Sequence, residues 1–320
     1  MKPDALDVTF QSAFHRRWGH LSDPHVRALT WLLDAPDLLD PDAPRWHGKI
    51  ASLAGSIGSD TAEWLAAQDR DPARLHAYLA LHPFARLGRY AEKLMAFYFE
   101  HTGQLHAHGV QVRADKNDTV GEFDFLLRRG SDLVHWEFAT KFYLMESSGA
   151  SHASDYFVGP NLADTLGAKM RKILDRQLIL AQHPAAQSHL PQPVVSAQAL
   201  VKGWLFYSDG DPAPGRSMGI MEGHCHGFWC TQQNFSAIEG EMFAVLPRLS
   251  WLAPARLAAS ACVNRAALQQ ILQQHFVGDT MPVMIAVMQS TGPDALEKNR
   301  GFIVPDDWCE RAASRPRQTG

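Results

Sequence analysis

Two neighbouring stretches hold residues able to do chemistry: GEFDFLLRR at Gly121–Arg129 and LVHWEFATKFYL at Leu133–Leu144. Each sets a carboxylate among bulky apolar side chains, Asp124 in the first and Glu137 in the second, and Lys141 follows the glutamate by four residues. A carboxylate with hydrophobic neighbours is costly unless a cation or donor accompanies it. Two such groups and a backbone carbonyl make a hard-oxygen set suited to Mg²⁺ or Mn²⁺. A lysine beside them could orient or deprotonate water, or stabilise a developing negative charge.

Whether the two acids meet depends on the strands that carry them. Side chains alternate along a strand, so His135, Glu137, Ala139, Lys141 and Tyr143 share one face of the second stretch. In the first, Glu122, Asp124 and Leu126 lie opposite Phe123, Phe125 and Leu127. The RRGSD turn between them suits a hairpin. If the large apolar faces pair, Asp124 and Glu137 fall on a common side. An amphipathic hairpin with one wet face would show the same alternation with no metal, and periodicity taken alone favours that plainer reading.

The flanking sequence supplies the other layers. RLGRYAEKLMAFYFEH places Leu87, Ala91, Leu94, Met95 and Tyr98 on one helical stripe. LHAHGVQVRA reads as a strand, Leu162–Ala181 as one helix, HPAAQSHLPQPVVSAQ as a loop and VKGWLFYS as a further strand. The order helix, three strands, helix, strand indicates an α/β fold, a mixed sheet flanked by helices. Upstream, VRALTWLLD, TAEWLAAQ and PARLHAYLALH are helical. Downstream, strand-like GIMEGHCHGFWCTQ, MPVMIAVMQS and GFIVP alternate with a helix near Arg265–Gln274, and the tail RAASRPRQTG is expected to be disordered.

These residues resemble the PD-(D/E)XK nuclease superfamily. The match rests on GEFDFL followed by a turn and WEFATKFY, on Gly88 and Glu92 in the preceding helix, and on the element order. The resemblance implies a restriction-endonuclease-like core over about residues 85–208, with a helical amino-terminal region over 1–84 and an α+β carboxy-terminal extension packed on the core over 209–320. It implies Asp124 and Glu137 as metal ligands, the Phe138 carbonyl as a third, and Glu92 assisting from the helix. The usual E-x-K spacing falls on Ala139, so Lys141 takes the lysine's place about 6.6 Å further along the strand. It also implies that Lys169, Lys172, Arg176 and Gln177 reach the site from the following helix. Separately, YFVGPNLAD, VLPRLSWLAP and RGFIVPDDW resemble an uncharacterised bacterial family known as a domain of unknown function.

The expected function is Mg²⁺- or Mn²⁺-dependent cleavage of nucleic acid, DNA favoured. The alternative is a non-catalytic module binding nucleic acid or protein on the same scaffold. Lys169, Lys172 and Arg176 fall at i, i+3, i+7 as a basic stripe, which gives salt-sensitive contact with little sequence preference. A net charge of −4 argues against a uniformly basic nucleic-acid coat. No signal-peptide h-region or 18-residue apolar run is present, and four cysteines are no disulfide scaffold, so a soluble cytoplasmic protein is expected. His224, His226 and Cys230 invite a zinc reading, but paired C-x-x-C knuckles are missing and ordinary buried histidines are the better account.

Overall fold

The computed structural model describes residues 9–55, 57–80, 86–115, 118–146, 156–211 and 218–315. The amino-terminal eight residues and the last five of the expected tail lie outside them. Five helices come first: α1 (Phe10–Trp18), α2 (Pro24–Asp34), α3 (Ser59–Arg70), α4 (Ala73–Ala80) and α5 (Leu87–His101). The Asp23 side chain accepts from the His25 and Val26 amides and Pro24 sets the first turn, so α2 starts sharply. It stops at Ala35, the residue before Pro36. The first helix gives no long apolar stripe and is set by its cap and contacts: Thr9 accepts from the Ser12 amide, and Asp34 holds Arg17 and the Trp18 indole, each at 2.6 Å.

Strands β1 (Leu105–Arg113), β2 (Thr119–Arg129) and β3 (Asp132–Met145) follow, all antiparallel. Arg129 pairs with Asp132, so the hairpin turn is Gly130–Ser131, and Gly130 supplies the positive φ of 61° that the turn needs. After the two-residue β4 (Phe157–Val158) and α6 (Leu166–Lys172), the chain returns as β5 (Val194–Tyr207), parallel to β3. Then come β6 (Cys225–Thr231), β7 (Met242–Val245), β8 (Arg256–Ala258), β9 (Val263–Asn264), α7 (Arg265–Gly278), β10 (Val283–Ser290), β11 (Asp294–Val304) and α8 (Trp308–Ala313).

Among the described residues all eleven strands join one mixed sheet, in the order β1-β2-β3-β5-β6-β11-β10-β7-β9, with β4 beside β3 and β8 beside β11. The carboxy-terminal strands thus extend the same sheet. One face carries α2 and α5, whose Leu29, Leu94 and Phe99 pack with Phe125, Trp136 and Trp204. The other carries α6, whose Leu166 and Met170 pack with Ala139, Tyr143 and Leu205. No helix among the described residues is long and apolar enough to cross a membrane.

Three expectations need correction. The helix expected over Leu162–Ala181 is only α6, continued by a π turn over Ile173–Gln177 and a 3₁₀ turn over Leu180–Gln182. The expected loop gives up its last residues to β5, which starts at Val194. Val194–Gln198 are exposed or only partly buried, and β6 joins β5 only from Trp204 onward. Arg311–Ala313 of the tail belong to α8, anchored by the buried Trp308, whose indole donates to the Pro160 carbonyl.

Candidate metal centre

The β2–β3 ladder stops at Phe125 and Trp136. One more step of that register would set Asp124 opposite Glu137. Instead Asp124 Oδ2 accepts from the Phe138 amide at 2.9 Å, and a side chain takes over where the backbone ladder opens. In an extended strand a residue's N–H and C=O point to the same edge, so the Phe138 carbonyl faces the same gap. Glu92 enters from α5, and Glu122 stands two residues before Asp124 on the same strand face. One oxygen from each of Glu92, Glu122 and Asp124 can be chosen so that all lie within 4.8 Å of one another. Arg89, one turn before Glu92, spans two of them, donating to Glu92 at 3.1 Å and to Glu122 at 2.8 Å.

Glu137 is 1% exposed. His135 Nε2 lies 2.9 Å from its Oε1, and Gln177 Nε2 donates to its Oε2. The π turn makes the second contact: the Leu178 amide bonds back to Ile173, the last turn widens, and Gln177 comes over the sheet. Lys169 lies 3.5 Å from the Gln177 side-chain oxygen, and its charge acts on both Asp124 and Glu137. Lys141 stands elsewhere, 3.7 Å from Asp164, whose carboxylate also accepts from the Tyr143 hydroxyl at 2.9 Å. The groups acting on Lys141 are Asp164, Lys169 and Lys172. Lys172 and Arg176 are exposed.

Burial pushes the Asp124 carboxyl up to about 7, with the Glu137 charge adding to the effect and the Phe138 amide opposing it. Burial likewise lifts Glu137 to about 7, against the Lys169 charge. Glu92 also rises to about 7, through burial and then Asp124, with Arg89 opposing. His135 is held down to about 4 by burial and is neutral at pH 7, and its buried Nδ1 has no partner. Three acids with so strong a hold on their protons are short of positive charge. Their donor set, carboxylate oxygens with a strand carbonyl, fits a hard divalent ion such as Mg²⁺ or Mn²⁺.

Such an ion must displace protons, so its affinity is expected to rise by up to about tenfold per pH unit for each proton released between about pH 5 and about pH 7, and to level off by about pH 8. Titration of Mn²⁺ across that range checks this, and a flat affinity would contradict it. Overall stability is a poorer readout. Burial holds His15, His135 and His224 down to about 4, and their contribution to stability grows with pH while that of the raised acids falls.

Sequence reasoning brought Asp124, Glu137 and Glu92 together, and the structure gathers them in one opening of the sheet. It passed over Glu122, although Glu122 and Asp124 alternate onto one face. It expected Lys169 and Gln177 to reach the site from the following helix and to contact nucleic acid; Gln177 donates to Glu137, and the Lys169 charge acts on Glu137. The His224 ring is fully engaged, Nδ1 with the Met221 carbonyl at 2.6 Å and Nε2 with the Tyr207 hydroxyl at 2.8 Å, as an ordinary buried histidine would be.

No curated protein and no solved structure matches this chain significantly. A family model described as "Domain of unknown function (DUF1853)" matches residues 27–304, which include every element from the body of α2 to the end of β11. The chain therefore belongs to the DUF1853 family.

Proposed function

We propose that this chain is a divalent-metal-dependent phosphodiesterase acting on nucleic acid, DNA favoured, on a PD-(D/E)XK-like core. The observation that carries the reading is the carboxylate cluster at the opening between β2 and β3, where Asp124 and Glu137 each stand one residue beyond the last β2–β3 pair and Glu92 and Glu122 close in on Asp124. The order α5, β1, β2, β3, α6, β5 supports it, as do Glu92 from the preceding helix and Lys169 and Gln177 from the following one.

In this reading Asp124, Glu137 and Glu92 hold the ion, with Glu122 and the Phe138 carbonyl completing the oxygen set. A bound Mg²⁺ would supply Lewis-acid polarisation of the phosphate and a lower pKa for attacking water. The protein's own contribution is placement. His135 and Gln177 fix the Glu137 carboxylate, and the Phe138 amide fixes Asp124. Arg89 offsets negative charge at Glu92 and Glu122. Lys169 takes the lysine's role of orienting water or stabilising charge on the phosphate, because its ammonium senses both central acids. Lys172 and Arg176 give the exposed, sequence-indifferent phosphate contacts.

Lys169→Met is then expected to slow cleavage on the order of 10²-fold with divalent-ion affinity retained, and Lys141→Met to slow it far less. The reverse ranking would return the role to Lys141. A cleavage screen on linear and nicked DNA and on RNA, with Mg²⁺ and with chelator, tests the reading itself. A second reading, a non-catalytic nucleic-acid-binding module, draws on the protein donors already satisfying Glu137 and on the Arg89 guanidinium between Glu92 and Glu122. It requires binding that survives chelation and no cutting under any condition.

A further inference from the structure

A cavity of about 240 Å³ lies further along β3 from Glu137, walled by the start of α5, by Thr140–Tyr143 of β3 and by the segment carrying Arg248 and Trp251. Thr140 and Lys141 follow Glu137 by three and four residues, roughly 10–13 Å along the strand. Gly88 in its wall precedes Glu92 by one helical turn, about 6 Å. The cavity therefore lies one α5 turn from Glu92 and three to four β3 residues from Glu137.

Its charge is one-sided. Arg86, Lys141 and Arg248 face a single carboxylate, Asp164, which Lys141 and the Tyr143 hydroxyl already share. Among the described residues neither arginine has an acidic partner; Arg248 lies 5.4 Å over the Trp251 ring. Two polar groups add to this. The Thr140 hydroxyl oxygen is buried with no hydrogen-bond partner. The first turn of α5 has no side-chain cap, so its amides are open to an anion. Trp251 is fixed by its indole N–H on the Leu246 carbonyl at 2.9 Å and gives a flat apolar wall beside the cations.

We propose that this cavity is a phosphate subsite, taking a phosphate of the same nucleic-acid strand close to the bond held at the carboxylates; the proposal rests on the nuclease reading for the identity of that strand. Three cations against one carboxylate leave an excess of two positive charges, which matches a terminal phosphomonoester of about −1.5 to −2 better than an internal phosphodiester. The cavity is smaller than the ~300–1,000 Å³ of drug-sized sites, room for a phosphate and part of its nucleoside.

The test is fluorescence anisotropy with labelled single-stranded oligonucleotides bearing a 5′-phosphate, a 3′-phosphate or hydroxyl ends, in chelator. Native chain is compared with Arg248→Ala and Arg86→Ala. Both side chains are exposed, and retained thermal midpoints verify folding. The expected result is about tenfold tighter binding of one phosphorylated end, shrinking towards parity in either variant. Equal binding of all ends, weakened equally by both variants, keeps the phosphate subsite and assigns it to an internal phosphodiester. Binding of every probe unchanged in both variants, or no binding of any probe, overturns the proposal. Because nothing is cut in chelator, the outcome is separate from catalysis. Pocket-dependent binding by a chain that never cleaves with Mg²⁺ keeps the subsite and removes the nuclease reading, and cleavage with pocket-independent binding does the opposite.

Discussion

Glu137→Gln is expected to abolish metal-dependent cleavage and at the same time to stabilise the metal-free chain above about pH 7. The side chain is almost wholly buried, and its carboxyl is raised from 4.5 to about 7, chiefly by burial. Folding must therefore hold an anion in a place that resists it, at a cost on the order of 2–3 kcal/mol above that pH. An amide removes the charge and keeps both partners, its oxygen accepting from Gln177 and its NH₂ donating to His135 in the other tautomer. Native and variant should agree in urea midpoint near pH 4 and diverge as pH rises towards about 7, because the folded native chain gives up its protons later than the unfolded one. The loss of cleavage should be on the order of 10³-fold, as several kcal/mol of phosphate stabilisation disappears with the ligand. Asp124→Asn should act in the same direction. The two effects will not add, since each acid raises or relaxes the other. A variant that loses stability at pH 8 would show that the carboxylate is an ordinary structural acid.

The largest expected stability loss is at Arg300, far from the chemistry. Its guanidinium is fully buried, bonds both oxygens of Glu297 at 2.6 and 2.7 Å, and donates to the carbonyls of Trp251 and Ala253. It also lies 4.2 Å over the Trp204 ring, while Glu297 accepts from the Ala255 amide. Arg300→Met strands a buried carboxylate and two backbone carbonyls, and should cost about 3–5 kcal/mol in urea unfolding. Adding Glu297→Gln to it should recover part of that loss. A change below about 1 kcal/mol would mean that water reaches the pair. The consequence extends to function, because this clamp holds the 251–255 segment against β11 and so positions Trp251 in the phosphate cavity.

Why that clamp was not legible in the sequence is instructive. Residues three apart on a regular strand face opposite ways, so Glu297 and Arg300 read as unrelated. The register slips between Val287 and Met288 of β10, which face Asn299 and Glu297, and Lys298 is the extra residue. The bulge turns Glu297 and Arg300 to one side. The π turn after α6 has the same effect at the site: a 3.6-residue reading of Lys169–Gln177 gives a solvent stripe, but the widened turn brings Gln177 onto Glu137. By contrast α5 and the β2–β3 hairpin were readable, the first from an unbroken helical period and the second from strand alternation around a glycine turn. Lys141 drew attention through strand spacing and through the resemblance. Lys169 gains its place from how α6 crosses the sheet, which no local period encodes.

The central claim is that these carboxylates are gathered for a divalent ion. Calorimetric titration of Mn²⁺ and Mg²⁺ into the native chain, Asp124→Asn and Glu137→Gln, repeated near neutral pH in two buffers of different ionisation enthalpy, tests it most directly. The expected result is saturable binding by the native chain with protons released into the buffer, as acids near pKa 7 require, and loss of both in each variant. A native chain that binds neither ion, with or without an oligonucleotide present, would contradict the account and leave the opening between β2 and β3 as part of a binding scaffold.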